Sequence, residues 1–217
     1  MWTDILFDLD GTLTDSAEGV TNSVCYALRE MGLPIPQPAV LERFIGPPLA
    51  ESFRQVGGLD AAQTKLAVKH FRVYFSKEGV RQNTVYDGMF PLLEKLKSAG
   101  RRLYVATNKA EFFARRVLDM RGLMPYFDLV AGSDLVRTDE TKADMVARVL
   151  QQSGADPAGA VMVGDRRHDV EGAKANGIAC VGVLYGYGSR AELADAGATI
   201  FAETVADLGP ISLNGPS

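Results

Sequence analysis

The second part of the chain alternates short apolar segments with helical ones, and this alternation limits the fold more than any other feature. Five apolar segments of strand length follow residue 88, and a sixth lies at Ile5–Phe7. Apolar strands that alternate with helices are typical of a parallel sheet covered by helices on both faces. The strand candidates are Ile5–Phe7, Leu103–Ala106, Phe127–Ala131, Val161–Val163, Ile178–Leu184 and Thr199–Ala202. The helices predicted among the later strands are Met89–Ala99, Glu111–Arg121, Lys142–Ser153, Asp169–Asn176 and Arg190–Ala196.

The segment between the first strand and residue 81 has a different pattern, which is purely helical. Val20, Val24 and Leu28 recur at the spacing of one helix face, and prolines and glycines separate the helices from one another. The helices predicted here are Thr14–Gly32, Val40–Phe44, Leu49–Val56 and 60–77.

These two patterns predict an α/β protein with a Rossmann-like parallel sheet and one insertion. Residues 1–14 and 82–217 are expected to form the α/β core. Residues 15–81 are expected to form a small all-helical domain, inserted after the first strand. Only residues 213–217 are expected to form a frayed tail.

The composition indicates an ordinary soluble domain and argues against several classes of protein. The chain has 217 residues, 47% of them hydrophobic, and a net charge of −4, which disfavours nucleic acid as a main partner. Cys25 and Cys180 are expected to be reduced packing residues. No signal peptide, membrane span or zinc motif is recognised, so we predict a cytoplasmic protein with no membrane partner.

Polar side chains follow several of the predicted strands at the point where each strand ends. In open α/β sheets, ligands bind outside the carboxyl ends of the strands, so these side chains are expected to share one edge. They include carboxylates, a hydroxyl, an amide and ammonium groups, which phosphoryl transfer to a carboxylate requires. The residues are Asp8, Asp10, Thr107, Asn108, Lys109, Lys142, Asp165 and Asp169.

Asp8 and Asp10 are separated by one residue, so their side chains point the same way in an extended segment. Two carboxylates that lie so close repel each other unless a cation or a proton intervenes. Mg²⁺ prefers oxygen ligands, and Asp8, Asp165 and a main-chain carbonyl suit it. The sequence therefore predicts a magnesium site.

Four segments of the chain together resemble the motifs of the haloacid dehalogenase superfamily of phosphohydrolases. The first is Phe7-Asp8-Leu9-Asp10-Gly11-Thr12-Leu13-Thr14-Asp15-Ser16, and the second is Thr107-Asn108-Lys109. Lys142 resembles the third, and Gly164-Asp165-Arg166-Arg167-His168-Asp169 the fourth. The helical insertion resembles the small α-helical cap of that family.

The resemblance implies a role for each of these residues. Asp8 is the nucleophile, and Asp10 protonates the leaving alcohol, activates water and binds Mg²⁺ through its main-chain carbonyl. Asp165 binds the metal directly, and Asp169 acts through water. Lys142 neutralises the nucleophile and the phosphate. Phosphate binding is assigned to Thr107, Asn108 and Gly11.

Some assignments remain open at this stage. Lys109 competes with Lys142 for the charge-neutralising role. Arg43 and Gly46, in the loop before Pro47-Pro48, are candidate contacts of the leaving group. Tyr185 and Tyr187 either border the site or belong to a structural loop.

The predicted activity is a magnesium-dependent phosphomonoesterase acting on a small phosphorylated metabolite. The chain resembles both phosphoglycolate phosphatases and a 5′-nucleotidase-like subgroup. The alternatives are a phosphomutase of the β-phosphoglucomutase type and a catalytically silent binding or regulatory protein. The presence of Asp10 disfavours dehalogenation. A monomer and a homodimer are both compatible with the sequence.

Overall fold

The computed structural model describes residues 1–135 and 140–214 and contains a six-stranded sheet with helices on both sides. The strands are β1 (Asp4–Phe7), β2 (Thr14–Asp15), β3 (Thr84–Val85), β4 (Arg102–Ala110), β5 (Leu129–Ser133), β6 (Ala160–Gly164), β7 (Ala179–Val183) and β8 (Ile200–Ala202). The α-helices are α1 (Ala17–Glu30), α2 (Pro38–Leu41), α3 (Leu49–Gln55), α4 (Ala61–Lys77), α5 (Met89–Ser98), α6 (Glu111–Met120), α7 (Lys142–Ser153), α8 (Arg167–Ala175), α9 (Arg190–Ala196) and α10 (Val205–Asn214). Short 3₁₀ turns lie at Glu42–Phe44, Gly79–Arg81, Met124–Tyr126 and Pro157–Gly159.

The large sheet has the strand order β5-β4-β1-β6-β7-β8, and all of its strands are parallel. β1 lies in the middle, where Phe7 is opposite Val105 of β4 and Val163 of β6. The chain fills one side of β1 first and then the other, so the crevice at the carboxyl end of β1 is a topological switch point. The prediction of a parallel α/β fold is confirmed.

Alternating side chains of β1 supply the cores on the two faces of the sheet. Ile5 and Phe7 pack into a large apolar cluster on one face, and Leu6 packs with Tyr104 and Met162 on the other. This strand is buried on both faces, which explains why its sequence is apolar throughout.

All regular structure from Ala17 to Arg81 is helical. α1 and α4 pack against each other, with Tyr26 and Tyr74 in ring contact at 5.5 Å between centroids. α4 reaches the α/β core through Phe75, whose ring contacts Phe113 of α6 edge-on.

The structure differs from the prediction in several elements. β2 and β3 form a short antiparallel pair, which the sequence did not indicate. β4 extends through residues 107–109, which had been expected to follow it, and its register against β5 shifts between Thr107 and Ala110. α10 was not predicted, and of the predicted tail at 213–217, Leu213 and Asn214 belong to this helix. Residues 215–217 lie outside the described residues.

An ion pair at the amino end of β1 provides a test of stability that is independent of the chemistry. The buried Asp4 carboxylate binds the Arg102 guanidinium, with 2.7 Å between Nε and Oδ1, and accepts a hydrogen bond from the Tyr104 hydroxyl. Removing one member of a buried pair costs several kcal/mol, and Arg102 is half exposed, so Asp4→Asn is expected to cost about 2 kcal/mol. Thermal unfolding is expected about 4–8 °C lower, with kcat unchanged. An unaltered melting temperature, or a lost kcat, would contradict this assignment.

Candidate active site

Three buried carboxylates meet at the carboxyl ends of β1 and β6. Asp8 follows β1, Asp165 follows β6, and Asp169 lies in the first turn of α8. These residues are at most 3% exposed, and one carboxylate oxygen from each lies within 4.8 Å of the other two. They meet because β1 and β6 are adjacent and parallel, so that both strands end at the same edge.

The loop after β7 holds Asp165 in place. The amide of Tyr187 donates to Asp165 Oδ2 at 2.8 Å, and the Thr12 hydroxyl donates to Oδ1 at 3.3 Å. A Cβ at Gly188 would lie 1.9 Å from the main-chain oxygen of Asp165, so this loop tolerates only glycine there. The Tyr187 hydroxyl donates to Asp15 Oδ1, which links the same loop to the start of the helical segment.

Lys142 is the first residue of α7 and neutralises part of the acidic cluster. Its Nζ lies 2.8 Å from Asp8 Oδ1 and 2.7 Å from Asp169 Oδ1, and it donates to the main-chain oxygen of Ala106. Burial opposes its charge, but attraction to Asp169 and Asp8 outweighs burial and raises the pKa of Lys142. The residue is therefore a permanent cation.

One ammonium group does not balance three carboxylates. Burial raises the pKa of Asp165 well above its ordinary value, and repulsion from Asp169 and Asp8 adds to the effect. Burial also raises the pKa of Asp8, although Lys142 acts in the opposite direction. A divalent cation would supply the two missing positive charges, and carboxylate oxygens are the ligands that hard cations prefer. The residues present therefore fit such an ion.

The two lysines contact different carboxylates. Lys109 Nζ lies 2.8 Å from Asp10 Oδ2 and 4.4 Å above the centre of the Phe75 ring. Lys142 contacts Asp8 and Asp169 instead. Asp10 Oδ1 is buried and accepts no hydrogen bond from any described residue, so it is available to a reacting group. The side chain of Asp10 is not one of the three clustered carboxylates.

The three residues assigned to phosphate binding have different surroundings. Thr107 is buried where the register of the β4–β5 ladder shifts, and its hydroxyl oxygen accepts from the amide of Lys109 at 3.2 Å. The side chain of Asn108 donates to the main-chain oxygen of Gly46 at 3.0 Å. Gly11 donates its amide to Thr14 at 2.8 Å, so this turn already uses the group that a phosphate oxygen would need.

A cavity opens above Asp8 and Asp10, between the α/β core and the helical segment. Thr107, Asn108 and Gly46 also line it. Four phenylalanines lie on its walls, namely Phe44, Phe71, Phe75 and Phe113. Arg43 is exposed and lines a separate cavity beside Arg166 and Arg167, so the structure does not bring it to Asp8.

Arg72 is a cavity residue that the sequence analysis missed. It projects from α4, donates to the main-chain oxygen of Leu135 at 2.6 Å and is half-buried. Burial lowers the pKa of Arg72, and the nearby Asp134 acts in the opposite direction. The helical spacing of Val68, Arg72 and Phe75 places all three on one side of α4, and that spacing was the available signal.

Comparison with known proteins identifies the same family that the sequence motifs resemble. The family model for haloacid dehalogenase-like hydrolases matches residues 5–183. A 5′-nucleotidase from Pseudomonas aeruginosa is 46% identical, over 87% of this chain and 86% of that protein. The tyrosine-protein kinase PtkA from Mycobacterium tuberculosis is 43% identical over 88% of this chain, which spans 65% of PtkA.

Two further matches are similar over most of their length. A phosphoglycolate phosphatase from Aquifex aeolicus is 34% identical, over 84% of this chain and 85% of that protein. The crystal structure of a predicted phosphatase from Clostridium acetobutylicum has a TM-score of 0.93 and 40% identity, covering 96% of this chain and 97% of the other.

The parallel sheet, the acidic cluster at its switch point and these relatives define the class of protein as a phosphatase. More specifically, the chain belongs to the haloacid dehalogenase-like hydrolase family, as its motifs predicted. Within the part of the chain that the structure describes, no helix has both the length and the apolar character needed to cross a bilayer.

Proposed function

We propose that this phosphatase hydrolyses a small phosphomonoester through an aspartyl-phosphate on Asp8, with a bound divalent cation, Mg²⁺ being the expected one. The observation that carries the proposal is the position of Asp8, buried beside Lys142 and within reach of Asp165 and Asp169. A carboxylate held beside a fixed cation is a suitable nucleophile for phosphorus.

The residues around Asp8 would bind the cation and transfer the proton. A bound divalent cation would be held by Asp8, Asp165, Asp169 and the main-chain oxygen of Asp10, and would supply positive charge to the phosphoryl oxygens. Asp8 forms a bond to phosphorus as the bond to the leaving oxygen breaks, and Asp10 gives that oxygen its proton. In the second step Asp10 takes a proton from water, which attacks phosphorus and releases Asp8 and phosphate.

Charge that develops on the phosphoryl oxygens needs fixed donors. We assign this role to the Thr107 hydroxyl and the Asn108 amide, while Lys142 supplies positive charge beside them. Thr107 and Lys142 are buried, so they need no reorganisation as the reaction proceeds.

Residues 15–81 would act as a cap over this site. The cavity above Asp8 and Asp10 is lined on its outer side by residues of α3 and α4 and the loop before α3. Lys109 joins the two parts directly, since its Nζ pairs with Asp10 and lies over Phe75 of α4. A cap that excludes water protects the intermediate until the leaving group has its proton.

The cavity has a volume of about 100 Å³ in this position of the helical segment, so a larger substrate requires that segment to open, but the walls favour a nucleoside 5′-monophosphate over phosphoglycolate. Phe44, Phe71, Phe75 and Phe113 offer apolar and aromatic surface for a planar base. A glycolate carboxylate would need a cation instead, and both cations among the described residues of the cavity wall already have partners: Arg72 donates to Leu135, and Lys109 pairs with Asp10. The 46% identical 5′-nucleotidase supports the same choice.

A substrate panel tests this proposal. With Mg²⁺ present, kcat/KM is expected to be about 5–30-fold higher for nucleoside 5′-monophosphates than for phosphoglycolate, because stacking on the rings contributes about 1–2 kcal/mol. Phosphate release is measured colorimetrically, and EDTA is expected to stop it.

Arg72→Met provides a control for this panel. It should change nucleotide turnover little, whereas an enzyme that binds glycolate through Arg72 would lose about 10–100-fold in kcat/KM for phosphoglycolate. A preference for phosphoglycolate that Arg72→Met removes would contradict the nucleotide assignment. Transfer of phosphate to a second sugar, without release, would indicate the phosphomutase alternative. No metal-dependent release from any ester would indicate a silent binding protein.

A further inference from the structure

Arg166 lies directly beside the acidic cluster, but none of the roles above uses its side chain. It follows Asp165, and its amide donates to Asp169 Oδ2 at 3.0 Å. The backbone of Arg166 is therefore fixed by Asp169, one of the three carboxylates of the proposed metal site. Its side chain is only 14% exposed.

The Arg166 side chain extends from this point to the helical segment. One terminal nitrogen donates to the main-chain oxygen of Ile45, and Nε binds Glu192 of α9 at 2.9 Å. The next carbonyl along the chain, that of Gly46, accepts from Asn108 at 3.0 Å. Two successive carbonyls of one loop are thus held by donors from the ends of β6 and β4.

The conformation of Gly46 is adapted to this contact. Its φ is +98°, which L side chains rarely adopt, and a Cβ there would lie 2.7 Å from Arg166 Cγ. The Arg166 stem occupies the space that a side chain at position 46 would fill. Gly46 was predicted to contact substrate. In the structure, glycine is also needed at this position because the Arg166 stem lies where a side chain would be.

We propose that Arg166 is a positioning residue that holds the cap loop, residues 45–48, closed over Asp8 and Asp10. Gly46, Pro47 and Pro48 line the cavity above these aspartates, so the position of the loop decides whether the cavity is closed. Glu192 orients the guanidinium. Arg166 thereby fixes the position of the cap loop relative to the acidic cluster. Arg166 touches no reacting atom, and its role as stated rests on the proposed function.

Hydrogen exchange of the purified 217-residue protein tests the proposal without relying on turnover. Arg166→Met keeps the stem that packs on Gly46 and removes the donors. Amides in residues 41–53 are expected to exchange about tenfold faster, while those of α7 are unchanged. Arg190→Met is the matched control, since Arg190 is exposed and pairs with the exposed Glu203 rather than with the cap, and it should leave exchange at wild-type rates.

Kinetics with p-nitrophenyl phosphate provide a second readout. A loop that is closed for a smaller fraction of the time lowers apparent affinity by that fraction, so KM should rise about twofold, as for a loop open about half the time, with little change in kcat. Arg166→Lys keeps one donor and should restore most of the wild-type KM. A variant that folds poorly would instead show a lower apparent kcat, because less of the enzyme would be folded.

The outcomes separate this inference from the proposed function. Unchanged exchange in residues 41–53 of Arg166→Met would overturn the inference, whatever the activity. A wild-type protein that releases no phosphate would overturn the proposed function, while faster exchange would still support the role of Arg166. If Arg166→Met does not fold, Glu192→Gln replaces it, and unchanged exchange in that variant would also count against the inference.

Discussion

Asp8→Asn is expected to abolish phosphate release, with kcat lower by at least about 10⁴-fold. An asparagine amide is a poor nucleophile, and the substitution also removes one of the three clustered carboxylates. Steady-state release from p-nitrophenyl phosphate measures the loss. Mass spectrometry of the acid-quenched wild-type enzyme should find a phosphoryl group on the peptide that contains Asp8, and the variant should show none.

The melting temperature of Asp8→Asn distinguishes a loss of chemistry from misfolding of the variant. Burial raises the pKa of Asp8, so its ionised form is unfavourable in the metal-free protein, and an amide there should not lower the melting temperature in EDTA. Asp4→Asn is the matched control, because Asp4 lies at the other end of the same strand and is expected to lose stability but not turnover. Rapid release by the Asp8 variant, or a phosphoryl group on another residue, would exclude Asp8 as the nucleophile.

The residues that the sequence located correctly are those whose position follows from topology alone. Asp8 and Asp165 end strands whose apolar character was evident, and parallel strands bring their carboxyl ends to one edge. Lys142 begins a helix after β5, and its long side chain reaches the same edge. The parallel sheet and the direction of its strands were enough to predict that these groups lie close together. The role of each residue is the one proposed above.

The residues that the sequence misplaced depend on how the helical segment sits on the core. Arg43 was expected near the leaving group but faces another cavity, and Arg72, which lines the site, was not considered. Both are long side chains on the inserted helices, and no periodicity specifies the orientation of those helices relative to the sheet. The separate partners of Lys109 and Lys142 likewise depend on side-chain directions that spacing does not determine.

Asp165→Asn is expected to remove the response of the protein to Mg²⁺. The wild-type melting temperature should rise by about 5–10 °C at Mg²⁺ concentrations about 100 times the dissociation constant, since binding to the folded state alone contributes about 2.7 kcal/mol. The variant lacks a carboxylate that is central to the cluster and should show little of this rise, with kcat/KM at least about 100-fold lower. Calorimetry with and without Mg²⁺, and phosphate release, measure the two effects.

In EDTA the Asp165→Asn variant should be more stable than the wild type, and the size of this difference should depend on pH. Burial and the neighbouring Asp169 and Asp8 raise the pKa of Asp165 above its ordinary value of 3.8, so the folded protein binds this proton more tightly than the unfolded chain. The stabilisation is complete at low pH and is lost as pH rises through the folded-state pKa. At neutral pH the metal-free variant should therefore melt above the metal-free wild type, and its stability should depend less on pH. The exposed Asp195→Asn makes the same charge change and should show neither effect, whereas a variant that keeps the full Mg²⁺ response would show that the ion binds elsewhere.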